Sequence, residues 1–327
     1  MTLRLGLLSA SRITEDAVVK PAREIDGVEI VALAARESDR AQQFADRWGV
    51  GRASSYEELI AADDVDAVYI ATPAALHRPW TLAALEAGKH VLVEKPLAAN
   101  ADDARVMADA ADASRLVVME AFHCLYHPLF AQMRQVLDGL GSVERVEASF
   151  EVAAVNIPPS DIRYDLSLGG GSLMDIGVYP LRWVAWVLGS ASVVAARADC
   201  PTPGIDGSLT ADLVGPDGAT ASVTSSMIAG GDDWVSSLVV HGSNGVMRVR
   251  NPLGPQHGSD LVVETSGARV EHPVSRDATY LHQLQAFRHA VVDGAAYPTT
   301  ARAGVDVMAL IDDCYRAAGM DPRPTWP

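Results

Sequence analysis

Leu3-Arg4-Leu5-Gly6-Leu7-Leu8-Ser9-Ala10-Ser11-Arg12-Ile13-Thr14 opens the chain with a short apolar run followed by a turn of small and hydroxyl residues. The run is what a buried strand needs, and the small residues suit a close turn into a helix. The same alternation continues outward. Leu3 to Leu8, Glu29 to Ala34, Ala67 to Ala71, His90 to Val93 and Leu116 to Met119 read as strands. Asp39 to Trp48, Tyr56 to Ala61, Thr81 to Ala87 and Ala101 to Ala113 are rich in Ala, Leu, Glu and Arg and suit crossover helices. Strands and helices in this order build a parallel sheet. Gly49 and Gly88 stand where helix ends favour a left-handed residue.

Beyond His127 the texture changes. A short helical stretch to Asp138 precedes strands at Val143 to Val155, Val193 to Asp199, Leu209 to Val214, Ala219 to Met227, Ser236 to His241, Gly245 to Val249 and Asp260 to Glu264. Few helices separate them, so antiparallel pairing is expected. A helix at Ser172 to Leu188 interrupts the series, and two more, Tyr280 to Val292 and Ala301 to Ala317, close the chain. The expected architecture is an α/β Rossmann domain over residues 1–122 and an α+β domain with a large, mostly antiparallel β-sheet over 123–327.

With 327 residues and 49% of them apolar, the chain has material for two cores and is not a disordered sequence. Its apolar runs fall far short of the roughly 20 residues of a membrane-spanning helix. The amino terminus enters a strand at once, without an export-signal pattern, so a cytoplasmic location is expected. Cys124, Cys200 and Cys314 are odd in number and far apart, which fits neither a disulfide framework nor a metal site. A formal charge of -16 would repel nucleic acid.

Ser9, Ser11 and Thr14 occupy the positions of a degraded Gly-x-Gly-x-x-Gly turn, where backbone amides of Ser9, Ser11, Arg12 and Ile13 can approach a pyrophosphate. The alternative is a serine-rich turn with an ordinary helix cap. The second strand ends at Ala35 where an acidic residue would hold a ribose 2′-hydroxyl, and Arg36 follows, with Ser38 and Arg40 nearby. A guanidinium there favours a 2′-phosphate, hence NADP over NAD, unless Arg36 and Arg40 are only solvated helix-start charges. Thr72 and Pro73 end the third of these strands at the edge where open sheets bind ligands, and His77 follows as a ribose contact or as a structural histidine.

His90-Val91-Leu92-Val93-Glu94-Lys95-Pro96-Leu97 puts a lysine at the carboxyl end of a buried strand. Pro96 keeps Lys95 out of helical geometry, and partial burial makes a lysine a tunable acid or base; a plain strand-end lysine is the alternative. Downstream, Gly169-Gly170-Gly171-Ser172-Leu173-Met174-Asp175-Ile176-Gly177-Val178-Tyr179-Pro180 sets a glycine turn before a helix, with Asp175 and Tyr179 on one helical face. A phenol beside a carboxylate suits carbinol chemistry, because it can exchange the hydroxyl proton while a hydride moves; a Lys95 ammonium nearby would bring the phenol's pKa down. Ser172 to Asp175 also reads as a capping box, and Tyr179 as a core phenol.

These motifs, with Tyr69-Ile70-Ala71-Thr72-Pro73, Met119-Glu120-Ala121-Phe122 and Tyr280-Leu281-His282-Gln283-Leu284, resemble the glucose-fructose oxidoreductase, inositol dehydrogenase and rhizopine-catabolism family (Gfo/Idh/MocA), nearest its dihydrodiol dehydrogenase and glucose-fructose oxidoreductase branch. The resemblance implies an open-faced second domain, Glu94 and Lys95 at the cofactor, and Lys95, Asp175 and Tyr179 as the catalytic set. It also places Arg163 in the substrate pocket, either contacting substrate or in a loop ion pair. Leu125 stands where relatives often carry an arginine, which favours a less polar substrate or shifts contacts to His123.

The sequence therefore points to an NAD(P)-dependent oxidoreductase of a cyclic polyol, sugar or trans-dihydrodiol, with NADP preferred, no metal and no nucleic-acid or membrane partner. The alternative is a non-catalytic NAD(P)- or sugar-binding regulator on the same fold. The open sheet, with small and apolar residues in Ala219 to Met227 and Leu238 to Val240, leads one to expect a homodimer or homotetramer.

Overall fold

The structure, a computed structural model, describes residues 1–158 and 160–326. The chain forms two compact units. The first comprises Met1–Tyr126 and Thr279–Val305, and the second His127–Ala278 and Asp306–Thr325.

In the first unit, β1 (Leu3–Leu8), β2 (Val28–Ala34), β3 (Ala53–Ser54), β4 (Ala67–Ile70), β5 (His90–Val93) and β6 (Val118–Glu120) form one sheet in the order β3-β2-β1-β4-β5-β6. Every pair is parallel. Leu5, Leu7, Val68, Ile70, Val91 and Leu92 are fully buried, as expected of a sheet covered on both faces. The order reverses at β1, so the carboxyl ends of β1 and β4 flank the crevice where such sheets take ligands.

Three elements of this unit differ from expectation. β3 is only Ala53–Ser54, too short to leave a periodic signal. The helix expected from Thr81 begins at His77 and runs to Glu86, because Pro79 lies in its first turn, where proline is tolerated. The helix Thr279–Asp293, placed by the sequence reading within 123–327, packs in the first unit. Its Leu284, Phe287 and Ala290 share a core with Leu3, Leu5 and Leu7. The following Thr299 and Thr300 line the free side of β6: Glu120 N donates to Thr299 O at 2.8 Å, and Met119 and Thr300 form an antiparallel bridge.

The second unit is built on β7 (Val143–Ala153), β8 (Ser192–Asp199), β9 (Ser208–Val214), β10 (Thr220–Ala229), β11 (Trp234–Gly242), β12 (Gly245–Arg250), β13 (Asp260–Thr265) and β14 (Arg269–His272). Their order is β14-β13-β12-β11-β7-β10-β9-β8. All pairs are antiparallel except β7 with β10. Leu209, Ala211 and Leu213 of β9, and Ala221 and Val223 of β10, point inward at the strand period of two. The helix Val178–Leu188 lies on β7 and β10 and buries Val178, Leu181, Trp183 and Val184. β14, unanticipated, is a charged and largely exposed edge strand.

Candidate active site

The turn after β1 has the backbone form of a phosphate turn despite its missing glycines. Ser9 takes φ 115°, a conformation that side chains normally avoid. Thr14, buried, donates to Ser9 O at 3.3 Å and pairs with Ser11 Oγ at 2.8 Å. The hydroxyls thus brace the turn from within, and Thr14 makes no side-chain cap to the helical segment that follows. Arg12 is exposed and Ile13 half-buried on the same turn.

Arg36 and Arg40 stand beside this turn at the end of β2. Arg40 Nη2 donates to Ala10 O at 2.8 Å, tying the helix Ser38–Trp48 to the turn. The Arg36 side chain is 89% exposed, its contact with Glu37 being a long 3.5 Å. Tyr56, which sequence reasoning missed, reaches both Ser9 and the Arg36 backbone; burial raises its phenol pKa. No motif announced it, since its partners lie in other segments.

At the end of β4, Thr72 Oγ1 is buried with no hydrogen-bond partner among the described residues. Pro73 begins the turn that leads to His77. His77 is buried, with Nε2 at 2.9 Å from Thr72 O and Nδ1 at 2.9 Å from Pro96 O. Each ring nitrogen faces a carbonyl oxygen, and a neutral ring donates to only one of them, so His77 braces the Thr72 or the Pro96 segment according to its tautomer. Burial lowers its pKa to about 4, against the pull of the carbonyls.

Lys95 is half-buried at the end of β5, before a cis peptide to Pro96. Its neighbour Glu94 accepts from Tyr69 Oη at 2.7 Å and from Lys95 N at 3.3 Å. Tyr69 was read only as a strand residue, although a buried phenol calls for a polar partner. His123 is buried, stacked on Tyr280 with ring centroids 4.1 Å apart, and bonded through Nδ1 to Thr279 Oγ1 at 2.8 Å. Burial lowers its pKa to about 3, and the Lys95 charge adds to the effect. Burial also raises the Tyr280 phenol well above its ordinary value.

In the second unit, Arg163 is a junction. Its Nε donates to Asp175 Oδ2 at 2.5 Å and its Nη1 to Asp161 Oδ1 at 3.0 Å. Asp175 is the larger influence holding the guanidinium pKa above its ordinary value. The ion-pair alternative for Arg163 is what the geometry presents. Asp175 lies in a π-helical turn, Leu173–Gly177, which precedes the regular helix. Ser172 makes no side-chain cap to it, so the capping box is not formed; Leu173 N donates instead to Asp206 Oδ2 at 2.7 Å. Tyr179 is buried, edge-on to Phe150 with centroids 5.9 Å apart.

The first unit thus carries Ser9, Ser11, Arg36, Thr72, Glu94, Lys95 and His123, and the second carries Arg163, Asp175 and Tyr179. The positive φ at Ser9, the orphaned Thr72 hydroxyl and the outward Arg36 guanidinium fit a phosphorylated dinucleotide at the sheet's switch point. Among the described residues no cluster of His, Cys, Asp or Glu could hold a metal ion, and no helix is long and apolar enough to cross a membrane.

Residues 3–122 match the oxidoreductase family with an NAD-binding Rossmann fold, and residues 130–248 the GFO/IDH/MocA C-terminal domain. The chain is 33% identical over 321 residues to D-xylose 1-dehydrogenase (NADP(+)) 2 of Haloferax volcanii, covering 97% of each. With trans-1,2-dihydrobenzene-1,2-diol dehydrogenase of Sus scrofa it shares 34% identity over 261 residues, 77% of this chain and 75% of the other. KijD10, a 3-ketoreductase from Actinomadura kijaniata solved with NADP and TDP-benzene, has a TM-score of 0.86 and 29% identity over 95% of this chain and 96% of its own. The chain belongs to the Gfo/Idh/MocA family and is an NAD(P)-dependent oxidoreductase acting on CH-OH groups.

Proposed function

We propose that the chain is an NADP-preferring dehydrogenase or ketone reductase of a sugar, cyclic polyol or trans-dihydrodiol. The observation that carries this reading is the full-length similarity to an NADP(+)-dependent D-xylose dehydrogenase in a chain that holds Lys95, Asp175 and Tyr179 together with the Arg36 guanidinium. When bound, the nicotinamide supplies or accepts the hydride.

The protein's own residues do the rest. Amides of Ser11, Arg12 and Ile13 would hold the pyrophosphate, while Ser9, whose amide donates to Ala34 O at 3.0 Å, would serve through the turn it shapes; Arg36, helped by Arg40, would take the 2′-phosphate. Thr72, Pro73, Glu94 and Lys95 would line the cofactor site. His77 acts there through the backbone it braces. Tyr179 exchanges the carbinol proton at its Oη, and Lys95 belongs to the same catalytic set. Asp175 orients that exchange, and Arg163 acts by holding Asp175. His123, its Nδ1 engaged by Thr279, helps to shape the substrate pocket.

The reading extends to an oligomer. Val194 and Val235 are exposed apolar side chains on strands of the second unit's sheet, which supports a homodimer or homotetramer through that sheet. It extends as well to the cytoplasm, where three cysteines that form no disulfide are at home.

The test is absorbance at the reduced-nicotinamide band with NADP and with NAD, against D-xylose and other sugars, inositols and trans-dihydrodiols. Turnover is expected, and Lys95→Ala should abolish it while NADP binding survives. Cofactor binding with no turnover across the panel would favour the regulator.

A further inference from the structure

The carboxyl-terminal Arg323 lies far in sequence from the glycine run, yet it is 1% exposed and paired with Asp206, which is fully buried. Its Nε donates to Gly170 O at 2.6 Å, its Nη1 to Gly204 O at 3.1 Å and its Nη2 to Asp206 Oδ1. The guanidinium plane sits over the Tyr315 ring at 3.9 Å, and Tyr315 Oη donates to Asp206 Oδ1 at 3.0 Å.

Asp206 faces the start of the Asp175 helix with everything else it has. Oδ2 accepts from Leu173 N at 2.7 Å, and its backbone oxygen accepts from Ser172 N at 2.8 Å. Two amides at the helix start, which have no partner inside the helix, are thereby satisfied by one residue. Gly171 sits at φ 132°, and a Cβ there would collide with both Asp206 and Arg323, so the glycine is required by the ion pair beneath it.

From this point the contacts run into the proposed proton-transfer residues. Gly171 N donates to Arg163 O at 2.9 Å, Asp175 N donates to Gly171 O at 3.0 Å, and the Arg163 side chain closes the circuit on Asp175. Displacement of the glycine turn would move both ends of the Arg163 to Asp175 contact.

We infer that Arg323 and Asp206 are positioning residues, a buried charged clamp that sets the Gly170 to Tyr179 segment for proton transfer. The inference rests on the proposed roles of Asp175 and Tyr179. An ion pair alone is often replaced by apolar side chains without loss, but this one also satisfies Leu173 N, Tyr315 Oη and two carbonyls, so it stabilises the segment and fixes its geometry together. A planar fork that reaches two carbonyls and a carboxylate at once fixes geometry, which a single ammonium does poorly.

The experiment uses the full chain in three forms: wild type, Arg323→Lys, and the apolar double variant Asp206→Leu with Arg323→Met. In Arg323→Lys, amide hydrogen exchange should quicken across residues 170–179 and stay at wild-type rates in β1, β4 and β5. Its kcat should fall about ten- to a hundredfold, the usual effect of small misplacement, with KM and NADP affinity near wild type. The double variant leaves Leu173 N, Tyr315 Oη and the Gly170 and Gly204 carbonyls without their partners, so its melting temperature and its kcat should both fall. Wild-type exchange across 170–179 in Arg323→Lys, or wild-type kcat in either variant, would overturn the inference. If wild type turns over no substrate, the hydride-transfer reading fails, and the exchange measurement alone decides whether the clamp sets this segment.

Discussion

Arg163 holds Asp175 from two directions: its Nε lies 2.5 Å from Asp175 Oδ2, while its backbone oxygen accepts from Gly171, whose own carbonyl receives the Asp175 amide. A residue engaged in this way serves the carboxylate more than a ligand. Arg163→Met should therefore lower kcat about tenfold or more with little change in KM, as expected when a group acts on the orientation of another. The pair is partly exposed, so the melting temperature should fall by only a few degrees. Steady-state kinetics checks this; a large rise in KM at unchanged kcat would make Arg163 a substrate contact after all.

Arg36 offers an exposed guanidinium beside the Ser9 turn, and Ala35 leaves no acid there to hold a ribose hydroxyl. Arg36→Ala should weaken NADP binding by roughly ten- to a hundredfold, the loss of a charge-assisted hydrogen bond of about 1.5–3 kcal/mol. NAD binding should hardly move. Fluorescence titration with each cofactor gives the two affinities, and an equal loss for both would remove Arg36 from the 2′-phosphate site.

His77 and His123 are buried with pKa values lowered to about 4 and about 3. The unfolded chain binds these protons near the free value of about 6.5, so between pH 6.5 and 4 it holds more protons than the folded chain. Stability is complete above pH 6.5 and falls with acid through that window, by up to about 1.4 kcal/mol per pH unit for each histidine. Urea midpoints from pH 7 to 5, above the range where most carboxylates titrate, should drop in the wild type and drop less in His123→Gln. An equal slope in both would rule His123 out as a source.

The strands of the first unit were legible because a sheet buried on both faces writes itself as apolar runs: Leu3 to Leu8 and His90 to Val93 fall where the structure has them. Leu209 to Val214 was legible through its alternation. Partners across long stretches of chain were not. Nothing in Gly204-Ile205-Asp206-Gly207 indicates an arginine 117 residues later, and the parallel pairing of β7 with β10 depends on the strands between them. The Ser172 capping pattern failed because Ser172 is itself helical, at φ -59° and ψ -45°, and the Asp175 amide that the box would use donates to Gly171 O. Lys95, Asp175 and Tyr179 could be picked out as residues of interest from local sequence, whereas the contacts that orient Asp175, His77 and His123 emerge only from the fold.

The first unit is finished late. Leu284, Phe287 and Ala290 fill its core, and Thr299 and Thr300 close the side of β6, so a nascent chain cannot complete this unit until residues 279–305 have left the ribosome. Until then β6 presents an unpaired strand edge beside exposed apolar surface, a state prone to association with other chains. A fragment ending at residue 122 would remain in that state permanently, so work on the nucleotide half in isolation has to carry residues 279–305 with it.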